Sequence, residues 1–241
     1  MTANSCDEFS FVRDNLARIE EQIQAACAAA GRRREEVTLM AVTKTVEPAR
    51  INAAIAAGVT HIGENRVQEF LEKRDDLHLD GVQAHLIGHL QTNKVRRIVG
   101  QVDMIQSVDS ERLAAAISDA AVHTERGVAD VLVEVNIGNE ESKSGVPAER
   151  LEELLAYVAA LPGLRVRGLM AIPPILHTEA EKRAVFHQMY KLFVDIRGKN
   201  VDNITMEILS LGMSMDYVEA IREGSTLVRI GSAIFGARDY Q

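Results

Sequence analysis

The sequence of 241 residues has no tryptophan, only two cysteines, and no apolar run approaching the ~20 residues that a membrane helix needs. Cys6 and Cys27 lie outside any CxxC motif or Cys/His cluster, so we predict neither a disulfide framework nor a metal site. The first ten residues, MTANSCDEFS, lack a basic start followed by an apolar stretch, so no signal peptide is predicted. These absences favour a reduced, cytoplasmic setting.

The charge balance also lacks a basic excess. Lys and Arg number 27 against 35 Asp and Glu, which gives a net charge of -8. Proteins that bind nucleic acid usually present a basic surface, so this class is disfavoured. We therefore expect no nucleic-acid partner and no membrane partner, while a local pocket for an anionic ligand remains compatible with the composition.

What the sequence does contain is a regular alternation of apolar, strand-type segments with helical patterns. The strand-type segments are VTLMAVTK, THIGEN, QAHLIGH, DMIQSV, ADVLVEVNIG, RVRGLMAI, TMEILSLG and TLVRIGSAIFG. A further helix, predicted over residues 7–30, precedes them. Alternation of this kind indicates a parallel sheet.

Eight strand–helix units in this length predict an α/β fold, a single (β/α)8 TIM barrel over residues 1–241 with an extra N-terminal helix. A doubly wound open sheet is the alternative. It would usually have fewer strands and a glycine-rich turn after the first, whereas the turn here is KTVEP.

Two charged residues interrupt apolar strands. Lys44 lies near the end of the first strand segment, and Arg229 lies within the last. The carboxyl ends of barrel strands form the active face of this fold. Strand ends are generally polar, which explains residues such as Asn65 after the second strand, but it explains Lys44 and Arg229 poorly because charged side chains are rarely buried without a role.

Gly231 and Ser232 follow the last strand and open a short helical segment, SAIFGAR. Backbone amides at a helix start bind phosphate, and TIM barrels often hold phosphate with the loops after strands 7 and 8. Ser210 and the LGMS segment after the seventh strand would complete such a site. An ordinary glycine turn that closes the barrel explains the same residues equally well.

A lysine facing a phosphate site suggests a phosphorylated aldehyde held as a Schiff base. Pyridoxal 5'-phosphate (PLP) is such an aldehyde, and its ring nitrogen needs a partner, usually Asp or Arg. Arg229 lies two residues before Gly231, on the same inward face of the strand. A guanidinium cannot accept a proton, so it would keep the ring nitrogen unprotonated and the ring a weak electron sink.

Several longer motifs resemble the pyridoxal phosphate homeostasis protein family. They are AVTKTV, GENRVQEF, HLIGHLQTNK, IQSVDS, GLMAI and LSLGMSMDYVEAIREGSTLVRIGSAIFGAR, which together span about residues 39–238. The resemblance implies a fold-type III PLP-binding barrel, similar to the N-terminal domain of alanine racemase. It implies a protein that buffers or delivers PLP, and so maintains vitamin B6 and amino-acid homeostasis, without established turnover.

The resemblance also implies roles for individual residues. Lys44 would carry PLP as an internal aldimine, and Arg229 would face the ring nitrogen. The remaining implied cofactor contacts are the phosphate ligands Ser210, Gly231 and Ser232, and the pocket residues Asn65 and Met213. The expected partners are PLP and PLP-dependent apoenzymes, and we expect a monomer.

Two other functions compete with this interpretation, a PLP-dependent amino-acid racemase and a cofactor-free Schiff-base aldolase. The sequence stops just after the predicted barrel, whereas racemases of this type have a second, β-rich domain. A racemase also needs a second base. We expect none among the tyrosines, because Tyr157, Tyr190 and Tyr217 fall in predicted helices and Tyr240 in the tail. Lys143, in the loop after the fifth strand, is expected to be a solvated residue on the active face.

Overall fold

The computed structural model describes residues 8–138, 144–174 and 177–236. Its central feature is a set of parallel strands. They are β1 (Thr38–Val42), β2 (His61–Glu64), β3 (Gln83–Leu86), β4 (Met104–Val108), β5 (Ala129–Asn136), β6 (Val146–Pro147), β7 (Leu164–Met170), β8 (Ile204–Met213) and β9 (Leu227–Ile230). Lys143 and Tyr240 lie outside the described residues, so the predictions for them stay predictions.

The strands close into a barrel. The pairing order is β4-β3-β2-β1-β9-β8-β7-β5, and β4 pairs with β5 to complete the ring. The two-residue β6 pairs only with the end of β5, outside the ring. The closed ring of eight parallel strands confirms the predicted (β/α)8 barrel and excludes the open sheet.

Helices surround this ring and follow the strands as predicted. They are α1 (Ser10–Ala29), α2 (Pro48–Ala56), α3 (Val67–Lys73), α4 (Val95–Ile98), α5 (Glu111–Ala121), α6 (Leu151–Ala159), α7 (Glu179–Arg197), α8 (Tyr217–Arg222) and α9 (Ser232–Phe235). The extra N-terminal helix α1 packs against α2, α8 and α9. Within the described part of the chain, no helix is both long and apolar enough to cross a bilayer.

Strand residues alternate between two apolar environments, because successive side chains point to opposite faces of a sheet. On β5, Val131 and Val133 belong to the large core between strands and helices. Leu132, between them, instead packs with Met104 and Met170 in a small cluster inside the barrel. A second interior cluster contains Met40, Val42, Ile87 and Leu227. Side chains therefore fill the interior of the barrel, as in the packed cores of this fold.

Strands β7 and β8 are in close backbone contact at Gly168. The register of the pair shifts at this point, and a Cβ atom on Gly168 would lie 1.8 Å from the Ile208 carbonyl oxygen. Any side chain here would push apart two strands that form the wall of the barrel.

We predict that Gly168→Ala lowers the free energy of unfolding by about 3 kcal/mol, because the methyl group cannot fit without moving backbone atoms. Urea denaturation followed by circular dichroism measures this change. Gly198→Ala is the matched control, since a Cβ atom there meets only ordinary contacts, 3.5 Å or longer. Equal stability of the two variants would contradict the close packing of β7 on β8.

Candidate functional site

A cavity of about 370 Å3 opens at the carboxyl ends of the barrel strands. Its volume falls within the range of roughly 300–1,000 Å3 that is typical of small-molecule sites. Its walls come from residues that follow or end six different strands. They are Val42, Lys44, Asn65, Ile87, Ile172, Met213, Ser214, Met215, Asp216, Arg229, Gly231 and Ser232. Six of the seven residues predicted from the sequence therefore share one cavity, and Ser210 is the exception.

Lys44 lies in a tight turn and not within the strand, because β1 already ends at Val42. The Lys44 side chain is half-buried. The next residue, Thr45, has a φ of 60°, a left-handed conformation that is unfavourable for a β-branched residue. The turn therefore points the lysine into the cavity at a cost in backbone strain.

Asn65 follows β2 and sits beside Lys44 on the cavity wall. Its main chain packs against Gly88, where an added Cβ atom would lie 2.3 Å from the Asn65 carbonyl oxygen. This contact explains the glycine in the HLIGH segment. Gly88 lets the loop after β3 approach the loop after β2 and fixes the position of Asn65.

Arg229 is a buried cation on the inner face of β9, with only 3% of its surface exposed. Its guanidinium donates hydrogen bonds to the Ser210 carbonyl oxygen (2.7 Å), the Ser210 hydroxyl (2.6 Å) and the Ala171 carbonyl oxygen (2.8 Å). Burial lowers the pKa of Arg229 to about 10, partly offset by Glu134 and Asp216. The side chain therefore keeps its positive charge at neutral pH.

A chain of hydrogen bonds continues from Arg229 through the barrel interior. The Ser210 hydroxyl donates to Gln106 Oε1 (2.8 Å), so the Gln106 amide nitrogen faces His85 Nδ1 (2.9 Å) and donates to it. Burial lowers the pKa of His85 to about 3, so the ring is neutral and accepts this hydrogen bond at Nδ1. These contacts fix the rotamers of Ser210 and Gln106 and thereby support the guanidinium.

Ser210 is fully buried, and its hydroxyl accepts a hydrogen bond from Arg229 and donates one to Gln106. This geometry places the side chain beneath the cavity wall, which does not fit the predicted contact with a phosphate. Ser210 points into the barrel because it lies two residues after Ile208, which packs against both interior clusters, on the same face of β8. A register shift follows between Ser210 and Met213, where the chain leaves the regular strand for the turn at the cavity.

Ser214, and not Ser210, supplies the serine hydroxyl of this part of the cavity wall. Its hydroxyl accepts hydrogen bonds from the Gly231 amide (3.3 Å) and the Ala233 amide (3.4 Å) at the start of α9. Asp216 holds this turn by accepting a hydrogen bond from the Met213 amide (2.6 Å). The LGMS segment contains this serine. The Asp three residues after Met213, a common turn signal, could have identified it.

Glu134 is a third ionisable group inside the barrel, after Arg229 and His85, with 4% of its surface exposed. It shares the inward face of β5 with Leu132. Burial raises the pKa of this carboxyl to about 7; the negative charge of Asp109 raises it further, and Arg229 opposes the shift. The interior of the barrel therefore carries a permanent cation and a carboxyl that titrates near neutral pH.

A larger cavity of about 510 Å3 lies at the opposite end of the barrel, between α1 and the beginnings of β1 and β2. Its charged residues include Arg34, which is paired with Glu20 at 2.7 Å. Barrel enzymes use the carboxyl ends of their strands, and of these two cavities the 370 Å3 one combines a lysine, an arginine and helix-start amides. We therefore take the smaller cavity as the candidate site.

Comparison with known proteins agrees with this fold. The family model described as alanine racemase, N-terminal domain, matches residues 15–239. The pyridoxal phosphate homeostasis protein of Aquifex aeolicus is 43% identical over 227 residues, covering 94% of this chain and 98% of the relative. The chain belongs to the pyridoxal phosphate homeostasis protein family.

Two solved structures place this homeostasis-family chain among related folds. The PipY protein of Synechococcus elongatus, solved with PLP bound, is 33% identical with a TM-score of 0.81, covering 93% of this chain and 100% of that one. The alanine racemase of Streptomyces coelicolor has a TM-score of 0.69 at 21% identity, covering 95% of this chain and 58% of the racemase. The racemase likeness concerns the fold alone.

Glu134 makes the stability of this homeostasis-family protein depend on pH. The folded state binds the Glu134 proton more tightly than the unfolded chain, whose carboxyl has an ordinary pKa near 4.5. Its contribution to stability is therefore complete below pH 4.5 and is lost as the pH rises through about 7. Between pH 4.5 and about 7, we predict that the free energy of unfolding of the wild type falls by about 3 kcal/mol because of Glu134. In Glu134→Gln this fall should be absent.

Urea denaturation of the cofactor-free protein at several values between pH 4.5 and pH 8 measures this difference. Glu125→Gln, which removes an exposed carboxylate, is the control and should follow the wild-type curve. A Glu134→Gln curve parallel to the wild type would show that the carboxyl does not titrate in the folded barrel near pH 7.

Proposed function

We propose that this protein binds PLP through a Schiff base on Lys44, and buffers the cofactor or delivers it to PLP-dependent apoenzymes. The observation that carries this proposal is the shared cavity: a lysine amine, a buried arginine and the start of α9 all line it. The names of its relatives support the same function, since one is a pyridoxal phosphate homeostasis protein and another was solved with PLP bound.

The residues of the cavity fit each chemical group of PLP. An amine is required for the aldehyde, and Lys44 supplies it. Backbone amides and hydroxyls are suitable phosphate ligands, and Gly231, Ser232 and Ser214 supply both kinds. When bound, PLP would supply an electrophilic aldehyde and an aromatic ring that can withdraw electrons.

Arg229 favours holding the cofactor over using it for catalysis. Its guanidinium donates hydrogen bonds and does not give up a proton near neutral pH, because its pKa remains at about 10. A ring nitrogen that accepts a hydrogen bond from this group stays unprotonated, and the ring then withdraws electrons only weakly. The cavity therefore retains PLP without strongly activating a bound amino acid.

The racemase alternative requires a second base opposite Lys44. Among the tyrosines that the structure describes, Tyr157, Tyr190 and Tyr217 lie in α6, α7 and α8, and none lines the cavity. The aldolase alternative requires a lysine but gives Arg229 no role. We favour a carrier, acting as a monomer and as one PLP-binding unit over residues 1–241, because it uses both charged residues of the cavity.

The proposal is tested by adding PLP to the purified protein, recording visible absorbance, reducing with borohydride and mapping the modified peptide by mass. We predict a pyridoxyl adduct on Lys44. Lys44→Ala should lose the adduct and the visible band but keep weaker, non-covalent binding through the phosphate. Lys94→Ala, on the same face but outside the cavity, should behave as wild type. An adduct that persists undiminished in Lys44→Ala would refute the assignment.

The proposed phosphate ligands Ser214, Gly231 and Ser232 give a separate prediction. Ser232→Ala and Ser214→Ala should each weaken PLP binding by about 1–2 kcal/mol, roughly five- to thirtyfold in Kd, because each removes a hydrogen bond to a charged group. Fluorescence titration measures the change. Ser110→Ala is the control, since this exposed serine lies on the same face of the barrel and outside the cavity. An unchanged Kd in both variants would place the phosphate elsewhere.

A further inference from the structure

Behind the Lys44 turn, on the outer side of the barrel, lies a buried cluster of charged residues. Lys73, on α3, has only 7% of its surface exposed, and Glu64, at the end of β2, has 1%. The Lys73 ammonium contacts Glu64 Oε2 (2.5 Å), Glu69 Oε1 (3.0 Å) and the Thr43 carbonyl oxygen (2.8 Å). Its three donors are thus directed at three oxygens from three segments.

The same cluster holds both ends of the turn that carries Lys44. On one side of the lysine, the Thr43 carbonyl oxygen accepts from Lys73, and the Thr43 hydroxyl donates to Glu64 Oε2 (3.2 Å). On the other side, the Thr45 amide donates to Glu69 Oε1. The left-handed conformation of Thr45 needs such external support, because the residue would otherwise favour a different backbone conformation.

Glu64 also connects the cluster to Asn65, the second residue of the cavity wall. Its Oε1 atom accepts a hydrogen bond from the Asn65 amide at 2.7 Å. One buried carboxylate thus binds Lys73 with one oxygen and the Asn65 main chain with the other. The cluster contacts Asn65 through its amide and flanks Lys44 through Thr43 and Thr45, and none of its three members lines the cavity.

We propose that Lys73, Glu64 and Glu69 are positioning residues, a charged clamp that orients Lys44 for attack on an aldehyde and sets Asn65 beside it. Burying an ion pair gives little net stability, so stability alone does not explain this cluster. Its contacts with the strained turn give it a second role. Here each member of the clamp bonds beside one of the two cavity residues. Lys73 bonds to Thr43 and Glu69 to Thr45, on either side of Lys44. Glu64 bonds to the Thr43 hydroxyl and to the Asn65 amide. This inference rests on the proposed function for its chemical consequence.

Glu69 gives the sharpest test because it is the most exposed member of the clamp, at 23% of its side chain, so its variants should fold. Glu69→Ala removes the acceptor for the Thr45 amide, whereas Glu69→Gln retains a side-chain oxygen there. Glu72→Ala is the matched control on the same helix, with an exposed carboxylate bonded to Gln68. Borohydride trapping at saturating PLP measures the rate of adduct formation on Lys44.

We expect Glu69→Ala to slow adduct formation about tenfold or more, since small misplacements of a reacting group have large effects on rate. Glu69→Gln and Glu72→Ala should react at nearly the wild-type rate. Affinity for 4-deoxypyridoxine 5'-phosphate, which has no aldehyde, should be the same in all four proteins. A wild-type adduct rate in Glu69→Ala would overturn the clamp.

Hydrogen exchange in the cofactor-free protein decides the same question without PLP. The Val46 amide bonds to the Thr43 carbonyl oxygen at 3.0 Å and has no direct contact with Glu69. Faster exchange of this amide in Glu69→Ala than in Glu69→Gln supports the clamp, and equal rates overturn it. Failure of wild-type protein to form an adduct would refute the proposed function and leave this exchange result valid.

Discussion

Burial of the Arg229 guanidinium inside the barrel is the constraint on which the candidate site depends. A charge with 3% of its surface exposed must be compensated by hydrogen bonds, and the Ser210 and Ala171 oxygens supply them. These contacts join β9 to β8 and to the end of β7. They also explain the polar interior, because Gln106 and His85 continue the network at a level where a barrel would otherwise be filled with apolar side chains.

Lys44, on another wall of the cavity, is held in a different way. Lys44 projects from a strained turn, and the surrounding residues hold that turn from outside the barrel. Arg229 is thus fixed from within the barrel, and Lys44 from the layer between strands and helices. Arg229 belongs to strand β9, whereas Lys44 belongs to the turn after β1, and Ser214, Gly231 and Ser232 follow β8 and β9. Under the proposed function, Arg229 and Lys44 meet the ring and aldehyde of PLP, and the turns after β8 and β9 meet its phosphate.

The sequence was sufficient to predict the barrel and most of the cavity. Strand and helix periodicities are local signals, and Lys44 and Arg229 stood out because each interrupts an apolar run. The role of Ser210 was not predicted, because its hydroxyl bonds to Arg229 and Gln106, which are distant in sequence and meet it only in the folded barrel. The role of Lys73 could not be predicted either, since its contacts with Thr43 and Glu64 exist only once α3 packs against the barrel.

The most direct test of the central claim is a crystal structure of the protein grown with PLP. We expect continuous density from Lys44 Nζ to the cofactor, Arg229 within hydrogen-bond distance of the ring nitrogen, and the phosphate against Ser214, Gly231 and Ser232. PLP bound with its ring nitrogen away from Arg229, or attached to a lysine other than Lys44, would contradict it.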